Sequence, residues 1–219
     1  MPRVARIVVP GYPHHVTQRG ARRQRTFSTE ADYATYLDLL AKNISRADAQ
    51  IWAYCLMPNH VHMVVVPGGA NGLARLLGHT HHCYARLVND THSWRGHLWQ
   101  ERFHSFVMDE EHLLAAVRYI ELNPVRAGLC RHAAEWRWSS VHAHLRTRPD
   151  PIVTAKPMLD RVPDWQSYLA DGENPAMSAS LRKHTMTGRP AGSAGFIDAL
   201  EKLTHRCLRP GPRGPRPAS

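Results

Sequence analysis

Two histidines separated by one residue, His60 and His62, are the first candidates for chemistry in this chain. They lie in HVHMVVV, an apolar run whose composition predicts a strand over 60–66. Side chains alternate along a strand, so both imidazoles fall on one face. Two imidazoles so placed are half a site for a divalent cation. The plain alternative is a pair of surface residues. The chain holds 16 His, and the pattern recurs at His142-x-His144. Tyr119 and Asn123 stand four residues apart on a predicted helix, a spacing that stacks them on one face. Leu113, Val117 and Ile120 fall on another face, which meets the sheet. Here the alternative is a packed tyrosine and a helix-ending asparagine before Pro124. Together the four residues fit phosphoryl transfer. A phenol, with a pKa of about 10, is a poor nucleophile near neutral pH. A cation on the target phosphate polarises it and can stabilise the departing 3′-oxygen. The tyrosine then holds the cleaved bond's energy as a phosphodiester, so rejoining needs no ATP. Mg²⁺ prefers oxygen ligands, whereas imidazole shifts preference toward Mn²⁺; Mg²⁺ or Mn²⁺ is the expectation.

The elements that must position these residues alternate. Residues 12–19 predict a strand, ended by Gly20 and the basic turn ARRQR. Ser28 is placed as the N-cap of a helix carrying Tyr33, Tyr36, Leu37, Leu40 and Ile44. Residues 50–57 and 60–66 predict a hairpin about Pro58-Asn59. A helix with Leu73, Leu76, Leu77, Tyr84, Leu87 and Val88 follows, then a strand over 102–108. Asp109 caps the next helix, Glu110 and Glu111 suit its dipole, and Pro124 stops it. The first six elements of this β-α-β-β-α-β-α order match an α+β, ferredoxin-like (RRM-like) antiparallel sheet with helices on one face. His104 either lies near the histidine pair, if the fourth strand neighbours the third, or faces solvent. That topology decides no function.

Composition excludes several classes. Hydrophobic residues make up 43% of the 219, enough for a core. No apolar run reaches the ~18–20 residues of a membrane span, and no secretory leader is evident at the start, so no membrane partner is expected. The four cysteines are scattered, with no C-x-x-C, which fits a reducing cytoplasm. The net charge of +10 favours a polyanionic partner, with nucleic acid the default. Of that charge, +6 falls in residues 181–219. The layout expected is a compact domain over 1–145, a Pro-rich connector over 146–177, and a basic helical extension over 178–219 whose tail is partly disordered. Arg19, Arg22, Arg23 and Arg25 crowd the loop after the first strand, where they either contact phosphates or form a solvated turn. Arg189 lies in TGRPAGS, before a helix capped by Ser193. The closing RPGPRGPRP is either a minor-groove hook or a solvated tail.

PNHVHMVVV resembles the His-hydrophobe-His (HUH) motif, and RYIELNPVRAGL resembles the tyrosine helix of single-tyrosine HUH transposases. HHVTQRG, WQERFHSF and EWRWSSVHAHL are similar to the branch of REP-associated tyrosine transposases and transposase-like proteins. The resemblance covers about residues 1–145. It implies that His60 and His62 bind the metal, that Asn123 stands where the family carries a polar third ligand, often Gln, and that Tyr119 becomes linked to the 5′-phosphate of cleaved single-stranded DNA. The expected function is a metal-dependent endonuclease and strand transferase acting on single-stranded or hairpin DNA. The rivals are a non-catalytic nucleic-acid-binding regulator, with stacking aromatics on an exposed sheet face, and a histidine–metal hydrolase of a small molecule. No residue pattern chooses between a monomer and a homodimer.

Overall fold

The computed structural model describes residues 6–209. The predicted strands form as β1 (His14–Arg19), β2 (Ala49–Met57), β3 (His60–Pro67) and β4 (His104–Val107). Helix α1 (Glu30–Ala47) separates β1 from β2, and α2 (His79–His92) precedes β4. The cap of α1 is Thr29 and not Ser28. Thr29 Oγ1 accepts from the Asp32 backbone N–H while the Asp32 carboxylate accepts from the backbone N–H of Thr29, a reciprocal box that needs the acid three residues on. Asp109 caps α3 (Glu110–Glu121) as expected, accepting from the His112 backbone N–H. Pro124 does not end the helical path. It starts a further turn, α4 (Asn123–Arg126), where a missing N–H is harmless.

The strands run antiparallel in the order β2-β3-β1-β4, the arrangement of the ferredoxin-like pattern. β1 pairs with β3 so that His15, Thr17 and Arg19 stand opposite Val64, His62 and His60. Alternation then sorts the core. Val16, Val61, Met63 and Val65 pack with Tyr36, Leu40, Tyr84 and Val88, so α1 and α2 share one face. Ala53, Cys55, Met57, Val64 and Phe106 pack on the other face with Leu113, Ala116, Val117 and Ile120. The one-face arrangement therefore describes α1 and α2, and α3 adds a cover to the opposite face, the one that carries His60 and His62.

The chain after α4 wraps this second face. Helices α5 (Val141–His144), α6 (Lys156–Arg161) and α7 (Trp165–Ala170) lead to α8 (Pro175–Thr187) and α9 (Ala194–Thr204). Ser193 caps α9, its side chain accepting from the Phe196 backbone N–H. Met158, Trp165 and Leu181 join the α3 core, and Leu200 and Leu208 meet Val9 and Val107. One buried carboxylate ties these pieces to α3. Glu121 accepts from Ser140 Oγ at 2.6 Å, from Trp165 Nε1 at 2.8 Å and from His144 Nδ1 at 2.6 Å. His144, from His142-x-His144, is thus a buried partner of Glu121. The proposed hook falls mainly in 210–219, outside the described residues. Replacing Glu121 with Ala leaves the buried Trp165 Nε1 and His144 Nδ1 without an acceptor, while Ser140 Oγ keeps the Tyr54 carbonyl at 3.2 Å. The expected cost is about 3–5 kcal/mol, read as a lower urea midpoint; a change under about 1 kcal/mol would mean the network contributes little.

Candidate active site

The site begins at the β2–β3 turn, which the loop after β1 holds from several sides. Pro58 O accepts from the backbone N–H groups of Thr26 and Phe27, at 2.8 and 3.1 Å. Asn59 O accepts from the Gly20 N–H at 2.9 Å, and Asn59 Nδ2 donates to Arg23 O at 3.0 Å. Gly20 is demanded by this approach, since a Cβ there would stand 2.6 Å from Gln24 O and 2.7 Å from Thr26 Cγ2. With its Nδ2 committed to a carbonyl, Asn59 turns Oδ1 to His60 Nδ1 at 2.6 Å. His60 must donate there, so its Nδ1 carries the proton and Nε2 keeps the lone pair.

His62 is placed by a residue that the spacing argument missed. His15, on the neighbouring strand, stacks on it with centroids 5.3 Å apart, and its Nε2 lies 3.1 Å from His62 Nδ1. His60 and His62 rings stand 5.0 Å apart at 80°. Burial holds all three rings neutral. His15 is pushed down to about 3. His60 falls to about 4, first by burial and then by the charges of Arg19 and Arg126. His62 lies well below its ordinary value through burial and the neighbouring His60, His15, Arg126 and Arg19.

Tyr119 reaches this pair from α3, 9% exposed, with its ring 5.7 Å from that of His62 at 78°. Asn123, on α4, is 6% exposed. Its Oδ1 accepts from Arg126 Nη2 at 2.8 Å, and its Nδ2 is buried without a partner. The Arg126 guanidinium lies over the Tyr119 ring, 3.9 Å from the centroid, and pairs with Glu173. The donor set offers two neutral imidazole nitrogens to a divalent cation, which fits Mn²⁺ or Mg²⁺ with solvent and phosphate completing the shell. The amide oxygen of Asn123 is engaged elsewhere. Among the described residues no group of three His, Cys, Asp or Glu is set to hold a metal ion.

The basic residues divide into two places. Arg19 faces the histidine side opposite His60, and Arg22, Arg23 and Arg25 are exposed in the loop that grips Asn59. Arg189 is elsewhere, in a cleft beside β4 shared with Arg6, Arg102 and Arg206. His104 shares the site face but lies beyond β1, because β4 neighbours β1 and not β3; it bonds Glu101 at 3.0 Å. Sequence reasoning also missed Arg126 and Glu173. His15 had a legible signal, since it alternates with Thr17 and Arg19 on one strand face. The Arg126–Glu173 pair, 47 residues apart, had none.

Comparison with known proteins places this architecture. The fold is shared with the structure of a REP-associated tyrosine transposase bound to a REP hairpin, at a TM-score of 0.58 and 19% identity, covering 69% of this chain and 90% of that one. A Deinococcus radiodurans protein assigned as a transposase aligns at a TM-score of 0.38 and 19% identity, over 55% of this chain and 96% of that one. No curated protein matches the sequence. The family described as "Transposase IS200 like" matches residues 9–123, more than half of the chain, and the chain belongs to that family.

The His60 tautomer and its low pKa are directly measurable. Long-range ¹H–¹⁵N NMR is expected to find Nδ1 protonated and the ring neutral from pH 8 to about pH 5, with a midpoint at about 4. A midpoint near the ordinary value of about 6.5 would mean a solvated ring.

Proposed function

We propose that this protein is a metal-dependent single-stranded DNA endonuclease and strand transferase that forms a 5′-phosphotyrosine at Tyr119 on hairpin-forming DNA. The observation that carries the reading is the placing of His60 and His62 on one sheet face, rings 5.0 Å apart, with the Tyr119 ring 5.7 Å from that of His62. The hairpin bound by the structural neighbour supports the choice of substrate. The reading assigns residues 1–145 to the nuclease domain, 146–177 to a connector and 178–219 to a DNA-binding extension. Arg19, Arg22, Arg23 and Arg25 then contact phosphates beside the site, and Arg189 contacts them at the far cleft.

His60 Nε2 and His62 Nε2 would hold Mg²⁺ or Mn²⁺, with Asn123 Oδ1 as a third ligand if it leaves Arg126. The bound cation would polarise the phosphate and favour departure of the 3′-oxygen. Asn59 and His15 fix the two rings by occupying their Nδ1 atoms, the usual way a neighbour orients an imidazole ligand. For that task His62 Nδ1 donates to His15 Nε2. The Tyr119 oxygen attacks phosphorus, the P–O3′ bond breaks, the phenol proton leaves to solvent, and a 3′-hydroxyl is freed. Attack by another 3′-hydroxyl reverses the step and regenerates the phenol. The rival regulator would leave a sheet face open for stacking bases. Here α1 and α2 cover one face and α3 the other, which disfavours it.

Incubated with a labelled hairpin-forming single strand and Mn²⁺, the protein is expected to give a covalent adduct on denaturing electrophoresis, absent from Tyr119→Phe. An adduct that persists in Tyr119→Phe would overturn the nucleophile. Removing the partner of His62 by His15→Phe is expected to weaken Mn²⁺ binding about 10–100-fold, followed by loss of the free-ion EPR signal without DNA. Unchanged binding would remove His15 from the site.

A further inference from the structure

Among the described residues Arg126 is the one cation that touches both the phenol ring and the amide of the site, and the reaction above gives it no task. Its guanidinium lies over the Tyr119 ring, 3.9 Å from the centroid. Nη2 donates to Asn123 Oδ1 at 2.8 Å, and Nη1 donates to Glu173 Oε1, with a longer contact to Tyr119 O at 3.4 Å. The Arg126 side chain is 32% exposed and that of Glu173 17%, so the pair is partly solvated and not in the core. The other Glu173 oxygen accepts from Ser178 Oγ at 2.7 Å, in the first turn of α8.

Three features distinguish this pair from an ordinary structural bridge. A guanidinium presents a planar fork that suits a carboxylate and a phosphate alike. Two of its donors are spent on the oxygens of Asn123 and Glu173, while the guanidinium itself lies over the Tyr119 ring. The amide it holds is left half satisfied, because Asn123 Nδ2 is buried without a partner. Such an orphan is unfavourable, which favours a rearrangement that gives the amide an acceptor.

We propose that Arg126 grips a non-bridging oxygen of the scissile phosphate, and that Glu173 holds its place until the phosphate arrives. The proposal rests on the Tyr119 reading. Binding exchanges one anion for another at Arg126: the phosphodiester enters, the Glu173 carboxylate returns to water and Ser178, and Asn123 Oδ1 is released toward the histidine pair. No bond is made or broken in this exchange. It links occupancy of the site to the segment between α7 and α8, because Glu173 belongs to that segment. Lysine cannot serve equally, since a point charge neither lies flat on the ring nor bridges two oxygens.

The test separates binding from chemistry. On the Tyr119→Phe background, affinity for an uncleaved hairpin-forming single strand is measured with and without changes at the pair. Arg126→Ala is expected to weaken it about tenfold or more. Glu173→Gln removes the competing anion and is expected to tighten it about fivefold, the order of a partly exposed ion pair. The double change should match Arg126→Ala alone, because a place-holder matters only while its partner is present. In the Tyr119 protein, Arg126→Ala should slow adduct formation about 100-fold or more, with partial rescue by millimolar guanidinium and less recovery in Arg126→Lys. Circular dichroism and thermal melting verify folding; should Arg126→Ala fail to fold, Arg126→Lys replaces it in the comparison. Equal tightening by Glu173→Gln with and without Arg126 would make Glu173 a general repulsive charge and overturn the proposal, as would unchanged affinity and rate in Arg126→Ala. If the Tyr119 protein forms no adduct, the phosphotyrosine reading falls, while the affinity comparison still decides the role of Arg126.

Discussion

The site depends on the register between β1 and β3. His15, Thr17 and Arg19 face Val64, His62 and His60 across that ladder, and the His15–His62 contact exists only in this register. A slip of one residue would turn every one of these side chains to the α1–α2 face. The register is secured by what each face buries. Val16, Met63 and Val65 belong to one core, and Val64 and Phe106 belong to the other. The same alternation that fills two apolar layers therefore delivers three imidazoles to a single place.

Covering that place with α3 sets its chemistry. Helix α3 brings a phenol against the rings and excludes enough water to hold the imidazoles neutral, the form that can donate a lone pair to a cation. Arg19 and Arg126 reinforce the effect, because a positive neighbour disfavours imidazolium. The cover is itself supported from behind. Glu121 follows Tyr119 by two residues and anchors the helix end to Ser140, His144 and Trp165. His144, of His142-x-His144, is thus part of the scaffold beneath Tyr119.

Much of this was legible in the sequence where the signal is local. The period of β3 put His60 and His62 on one face, Pro58-Asn59 marked the turn, and Asp109 marked the start of the tyrosine helix. Interactions between distant segments were not legible. Asn123 and Tyr119 lie on successive helical turns and not on one helix, because Pro124 starts a turn as readily as it stops one. Helix α8 escaped notice because its sequence has little amphipathic pattern and only Ser178 and Leu181 are buried. Arg126 meets Glu173 across 47 residues, a pairing set by how the chain returns after α7 and not by any spacing.

The central claim is that the α3-covered face of the sheet, at His60 and His62, is where a DNA phosphate meets Tyr119. A crystal structure of the Tyr119→Phe protein with an uncleaved hairpin-forming strand and Mn²⁺ tests it most directly. The account predicts the scissile phosphate between the His60–His62 pair and the residue-119 ring, with phosphorus within about 3–3.5 Å of where the phenol oxygen would stand. DNA that crosses the α1–α2 face, or that leaves the histidine pair without a phosphate, would contradict it.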